Sequence, residues 1–270
     1  MKYQMIVLDL DGTLINTSNE ISPRTQRALS DLQKRGGKVV LASGRPVTGV
    51  LPLAVQLELP RYGSYILAFN GSRIIDCGTK KCIYERNLTP KTAQILYRRA
   101  RSQGFTILTY DDSKIYSSPD PSEYANYEVN ANHMPLTVLE DFEKEVVFPV
   151  PKCLIIGEPE PLGALEEELR QEYHGSLTVN RSFPFFLEVN PKDVNKGSSL
   201  SRLLNGLGMN PEQVVCCGDG ENDIPMIEMA GLGVAMENAS GNVKRAADFI
   251  TTSNDEDGIA YVIEKFMLER

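Results

Sequence analysis

Met5-Ile6-Val7-Leu8-Asp9-Leu10-Asp11-Gly12-Thr13 is the stretch that decides the fold. Residues 4–10 form a largely apolar run with little alternation, as expected of a strand buried on both faces of a parallel sheet, and it ends in two acids and a glycine. Ser22 then offers an N-cap with Pro23 at the first helical position. Ala28, Leu29 and Leu32 form one apolar stripe, and Gly36-Gly37 stop the helix. Residues 38–42 read as a second strand, so the chain begins β-α-β.

Working outward, residues 47–59 read as a helix interrupted near Pro52, and residues 64–69 as a third strand ending at Asn70-Gly71. Strands alternating with helices signal a doubly wound parallel sheet. From about Cys82 the rhythm changes to strand-like stretches at 105–109, 153–156, 177–179 and 185–189, with helices at 90–103 and 161–173. After Asn190 the first rhythm returns: helix 197–207, strand 213–217, helix 224–230, strand 232–235, a strand near 249–251 and a helix over 258–268. The expected fold is α/β. A Rossmann-like, doubly wound parallel core is formed by residues 1–82 and 191–270, with an α+β domain inserted at 83–190.

Composition bounds the function. The chain has 270 residues, 41% of them hydrophobic and 24% charged, which suits a globular protein of one large or two modest domains. Its apolar runs are strand-length, well short of the roughly 20 residues a membrane span needs. No basic segment leads a long apolar stretch at the N-terminus, so a soluble, cytoplasmic protein is expected. The five cysteines (Cys77, Cys82, Cys153, Cys216, Cys217) lack Cys-x-x-Cys spacing and read as reduced core thiols. A formal charge of −8 and a pI near 5.0 argue against nucleic acid as a partner. His133 and His174 have no metal-ligand spacing and read as surface or loop residues.

Four segments carry chemistry. Asp9 and Asp11 lie at the C-terminal end of the first strand, where alternation along an extended chain would turn both carboxylates to the ligand crevice and a hard divalent cation would relieve their repulsion. Ala42-Ser43-Gly44-Arg45-Pro46 ends the second strand with a hydroxyl, a glycine and a cation suited to phosphate oxygens. Asn195-Lys196-Gly197-Ser198 puts an ammonium at a helix N-terminus. Gly218-Asp219-Gly220-Glu221-Asn222-Asp223 follows another strand, with a direct ligand, an amide and a supporting carboxylate within one turn. Each has a plainer reading when taken alone: turn-forming acids before Gly12, an ordinary Ser-Gly-Arg turn, a solvated lysine, an acidic loop. Their common placement at one edge of one sheet favours a site.

The order Asp-x-Asp-Gly-Thr, Ser-Gly-Arg, Asn-Lys-Gly, Gly-Asp-x-x-Asn-Asp resembles the haloacid dehalogenase superfamily, and within it the Cof-type sugar phosphatases with a large C2-type cap. Phe69-Asn70-Gly71, Phe186-Leu187-Glu188-Val189 and Gly231-Leu232-Gly233-Val234-Ala235-Met236 fit the same pattern, so the resemblance spans nearly the whole chain. It implies Asp9 as nucleophile and Asp11 as general acid and base. It implies Mg²⁺ held by the Asp9 and Asp219 carboxylates and the Asp11 carbonyl, with Asp223 supporting them. Ser43, Lys196 and Asn222, with backbone at Leu10 and Gly44, would hold the phosphate. Arg45 and Asn70 are expected near the substrate, and Arg181 to Phe185 in the insert could reach the leaving group.

The implied reaction is hydrolysis of a small phosphorylated metabolite, most naturally a sugar phosphate, through an aspartyl phosphate. A phosphomutase of phosphohexoses would use the same core motifs, with closure of the cap deciding whether water enters. A non-catalytic phosphosugar-binding protein would have no use for Asp9, Asp11, Lys196 and Asp219 together. The sequence leaves the particular metabolite and the oligomeric state open.

Overall fold

The computed structural model describes residues 2–268, which divide into two compact units. The first comprises the chain up to Ser43, Leu51–Tyr84, and everything from Asn195 on; the second comprises Gly44–Val50 and Glu85–Val194.

The first unit is built on an eight-stranded sheet in the spatial order Phe249–Ile250, Leu232–Ala235, Val214–Gly218, Met5–Leu8, Lys38–Ala42, Tyr65–Ala68, Arg73–Asp76, Lys81–Glu85. The first six run parallel, and Arg73–Asp76 turns back antiparallel to Tyr65–Ala68. Met5, Val7, Val40 and Ala42 pack on Leu200, Leu203 and Leu204 of the helix Lys196–Leu207. The alternate residues Ile6, Leu8, Val39 and Leu41 are buried as well, so both faces are covered, as the continuous apolar runs require. The helix Pro23–Lys34 starts as expected, with the Ser22 hydroxyl accepting from the Thr25 N–H and Ala28, Leu29 and Leu32 buried.

The second unit holds a six-stranded sheet ordered Leu177–Phe183, Phe186–Pro191, Cys153–Ile156, Thr106–Tyr110, Ile115–Ser117, Leu136–Val138. It is antiparallel except for its last pair. Ile107, Cys153, Ile155, Leu187 and Val189 share an apolar core with Ala93 and Leu96 of the helix Pro90–Ser102 and Leu162, Leu165 and Leu169 of the helix Pro159–Glu172. Lys152 is also interior here, 2% exposed. It pairs with Glu188 at 3.2 Å and donates to the Gly44 carbonyl at 3.0 Å.

Several expectations are corrected. Residues 44–50, assigned above to the core, pack with the second unit: Arg45 donates to the Ala131 carbonyl at 3.1 Å, and a Cβ on Gly49 would overlap Asn132. The first strand stops at Leu8 rather than residue 10. Pro52 does not break its helix. Val47–Gln56 runs through it, and a separate short helix, Leu59–Tyr62, follows. Cys82 is exposed, because the edge strand Lys81–Glu85 is exposed almost throughout, while the other four thiols are buried. Both histidines are exposed. No helix among the described residues is long and apolar enough to cross a membrane.

Candidate active site

The acids expected at the sheet edge converge within the first unit. Past Leu8 the backbone leaves the sheet in a tight turn, with the Leu14 N–H donating to the Asp9 and Leu10 carbonyls. Pleat alternation therefore does not set the sides of Asp9 and Asp11; the turn does. Gly12 makes it possible, with φ +83° and a Cα so close to the Asp219 carboxylate that a Cβ would overlap it. Thr13 is buried and donates its hydroxyl to Asp219 Oδ1 at 2.7 Å.

Lys196 opens its helix after Asn195, whose side chain accepts from the Ser198 N–H while the Ser198 hydroxyl receives the Asn195 N–H. The cap aims Lys196 inward, where it is 0% exposed, and its ammonium pairs with Asp9 Oδ1 and, at 2.6 Å, with Asp223 Oδ1. Asp223 Oδ2 accepts from the backbone N–H groups of Asp219 and Gly220, at 3.0 and 2.9 Å. One buried carboxylate therefore holds both the lysine and the loop that carries Asp219. Asn222 donates from Nδ2 to Asn70 Oδ1 at 3.1 Å. Ser43 is buried at the end of its strand, its N–H donating to Leu67 and its carbonyl accepting from Asn70.

Residues 6–263 of the chain match the model of a family described as haloacid dehalogenase-like hydrolase. The chain belongs to this family. A crystal structure of a haloacid dehalogenase-like hydrolase from Bacteroides thetaiotaomicron superposes with a TM-score of 0.90 and 44% identity, over 98% of this chain and 100% of that one. The Bacillus subtilis protein named "Putative phosphatase YxeH" is 33% identical over 99% of this chain and 100% of its own length. From the same organism, the protein named 5-amino-6-(5-phospho-D-ribitylamino)uracil phosphatase YcsE is 30% identical over 98% of this chain and 96% of its own. The chain is an enzyme of the haloacid dehalogenase-like phosphatase kind.

The electrostatics of this phosphatase follow from crowding acids in the interior. Burial, then the Asp223 charge, raises Asp9 well above the usual carboxylate range, with Lys196 opposing and Asp219 and Asp11 adding to the rise. Asp219 is raised to about 6, first by burial and then by Asp223, against the Thr13 hydrogen bond and Lys196. Burial alone would lower Lys196, but the charges of Asp223 and Asp9 outweigh it and hold the ammonium above its ordinary range. Asp9, Asp219 and Asp223 each bring a carboxylate oxygen within 4.8 Å of the others, an all-oxygen donor set of the kind a hard divalent cation takes.

Arg45 and Arg181 are engaged elsewhere. Arg45 donates to Ala131, and Arg181 pairs with Glu166 at 2.8 Å and also donates to the Pro159 and Pro184 carbonyls. The role of Thr13 and the Asn70–Asn222 bond escaped sequence reasoning, because their partners lie more than a hundred residues away in the chain.

Proposed function

We propose that this chain is a Mg²⁺-dependent phosphatase that hydrolyses small phosphate monoesters, sugar and polyol phosphates foremost, through a phospho-aspartate on Asp9. The reading rests on one observation: a fully buried lysine pinned between Asp9 and Asp223 beside a third acid, Asp219. Two buried carboxylates and a half-buried third with one ammonium leave excess negative charge, which is costly unless a cation joins them. Asp9, Asp219 and the Asp11 carbonyl would hold the ion, and Asp223, both of whose oxygens already accept hydrogen bonds, would orient the lysine and the Asp219 loop. The bound ion would neutralise charge on the phosphoryl oxygens.

An Asp9 carboxylate oxygen attacks phosphorus in line, and the bond from phosphorus to the ester oxygen breaks. Lys196 screens the approach of a dianion to a carboxylate. Ser43, Asn222 and the N–H group of Leu10 grip the phosphoryl oxygens. Asp11 gives its proton to the departing alkoxide and then takes one from water, whose oxygen attacks the phospho-aspartate to release phosphate and restore Asp9. The relative named for a phosphorylated ribityl compound supports a polyol or sugar leaving group.

The test is phosphate release from a panel of sugar, polyol, nucleotide and flavin phosphates, with Mg²⁺ or EDTA, by the wild type and Asp9→Asn. Release that needs both Mg²⁺ and Asp9 is expected. Undiminished turnover by Asp9→Asn would end the proposal, and no release from any ester would turn attention to transfer between phosphohexoses.

A further inference from the structure

The turn after the strand Tyr65–Ala68 places three successive residues at positive φ: Phe69 at 51°, Asn70 at 55° and Gly71 at 92°. For a bulky residue such as Phe69 this conformation is strained, and it persists only where its surroundings impose it. Here they do. The Ser199 hydroxyl donates to the Gly71 carbonyl at 2.8 Å, a Cβ on Gly71 would overlap Ser199, and the Ser72 N–H closes on the Phe69 carbonyl at 3.0 Å.

The strained turn buries Asn70, at 1% exposure, and gives it two tasks. Its backbone N–H donates to the Ser43 carbonyl at 2.9 Å, and its side-chain Oδ1 accepts from Asn222 Nδ2 at 3.1 Å. In the sheet, two strands stand between the one that precedes Asn222 and the one that precedes Asn70; they are the strands that lead to Asp9 and Ser43. The amide-to-amide bond therefore arches over the strand ends that carry the nucleophile and the hydroxyl. A primary amide nitrogen has two protons in a fixed plane, so committing one to Asn70 fixes the direction of the other.

We propose that Asn70 is a positioning residue, setting the Ser43 peptide through its backbone and the Asn222 amide through its side chain, so that both grips meet one phosphate. This rests on the assignment of Ser43 and Asn222 as phosphate contacts, and it replaces a direct role for Asn70 in binding. Asparagine suits both demands, since it tolerates the left-handed conformation better than other residues with a Cβ and carries the acceptor.

The test is a double-mutant cycle on inorganic phosphate as competitive inhibitor, using wild type, Asn70→Gly, Asn222→Ala and the double variant. Glycine keeps the positive φ and the N–H to Ser43 while deleting Oδ1, so folding and thermal midpoint should hold. Asn70→Gly should raise Ki about tenfold, or about 1.4 kcal/mol. The double variant should be no worse than Asn222→Ala, because Asn70 acts through Asn222. Additive losses would show that Asn70 binds phosphate itself and overturn the proposal, as would an unchanged Ki in Asn70→Gly. If Asn222→Ala leaves Ki unchanged while Ser43→Ala raises it, the assignment of Asn222 fails and takes the proposal with it, but the phosphate site stands.

Discussion

Lys196→Met removes the ammonium that Asp9 and Asp223 share and leaves a side chain of similar length, so the consequence is electrostatic rather than a cavity. Deleting one partner of a buried ion pair costs about 3–5 kcal/mol when the remaining charge stays ionised. The carboxylates can escape by taking up a proton, at about 1.4 kcal/mol for each pH unit by which the ordinary pKa is exceeded. Lowering the pH from 8 to 5 changes that cost by about 3 × 1.4, or roughly 4 kcal/mol, for one carboxyl. Urea unfolding in EDTA should therefore show the variant about 3–5 kcal/mol less stable than wild type at pH 8, with most of the deficit gone at pH 5. With Mg²⁺ present, kcat/KM should fall at least a hundredfold, since two charge-assisted hydrogen bonds of about 1.5–3 kcal/mol each are lost. A variant within 1 kcal/mol of wild type at pH 8, or a deficit that does not change with pH, would refute this reasoning.

Wild-type stability in EDTA should fall as pH rises through the window from about 4 to about 6. Asp219 has an ordinary unfolded value near 3.9 and is held at about 6 in the fold, so the folded state binds its proton more tightly and loses that advantage across the window. Asp9 is raised too and extends the fall upward, and excess Mg²⁺ should shrink the slope; a thermal midpoint that rises across this range in EDTA would contradict both assignments. Thr13→Val deletes the hydroxyl that orients Asp219 and should raise the Mg²⁺ activation constant about 10–100-fold, whereas an unchanged constant would free Thr13 of that role. Lys152→Met removes the ammonium that faces Glu188 in the interior of the second unit and should cost about 3–5 kcal/mol in urea unfolding, with Glu188→Gln added to it recovering part; a loss below about 1 kcal/mol would show the ion pair to be dispensable.

Parallel strands announced themselves because burial on two faces demands continuous apolar runs: Lys38–Ala42 and Leu232–Ala235 were legible to the residue. The hairpin Arg73–Asp76 and Lys81–Glu85 was not, since charged and polar residues at a sheet edge dilute the pattern. The helix Ala125–Asn132 has no apolar spacing, because its inward residues include Glu128, which accepts from the buried Tyr110 hydroxyl, and Asn132. At the site, residue types and order singled out the loops that carry Asp9, Ser43, Lys196 and Asp219, but local sequence could not show that Lys196 is buried or that Asp223 holds two backbone N–H groups. A lone lysine is ordinarily solvated, and what reverses that is Asp9, 187 positions away. Nor could it show that the first strand ends before Asp9, which makes a glycine turn rather than the pleat the device that aims the acids.

The central claim is that Asp9 carries the phosphoryl group during turnover. The measurement that meets it most directly is acid-quenched mass spectrometry of the Asp11→Asn variant, in which water activation is impaired, after brief reaction with Mg²⁺ and an aryl phosphate, whose phenolate leaves without the proton that Asp11 gives an alkoxide. A phosphoryl adduct of the peptide containing Asp9, absent from Asp9→Asn, is the expected result. Turnover by the wild type with no adduct on Asp9 in the stalled variant, or an adduct on another residue, would contradict it.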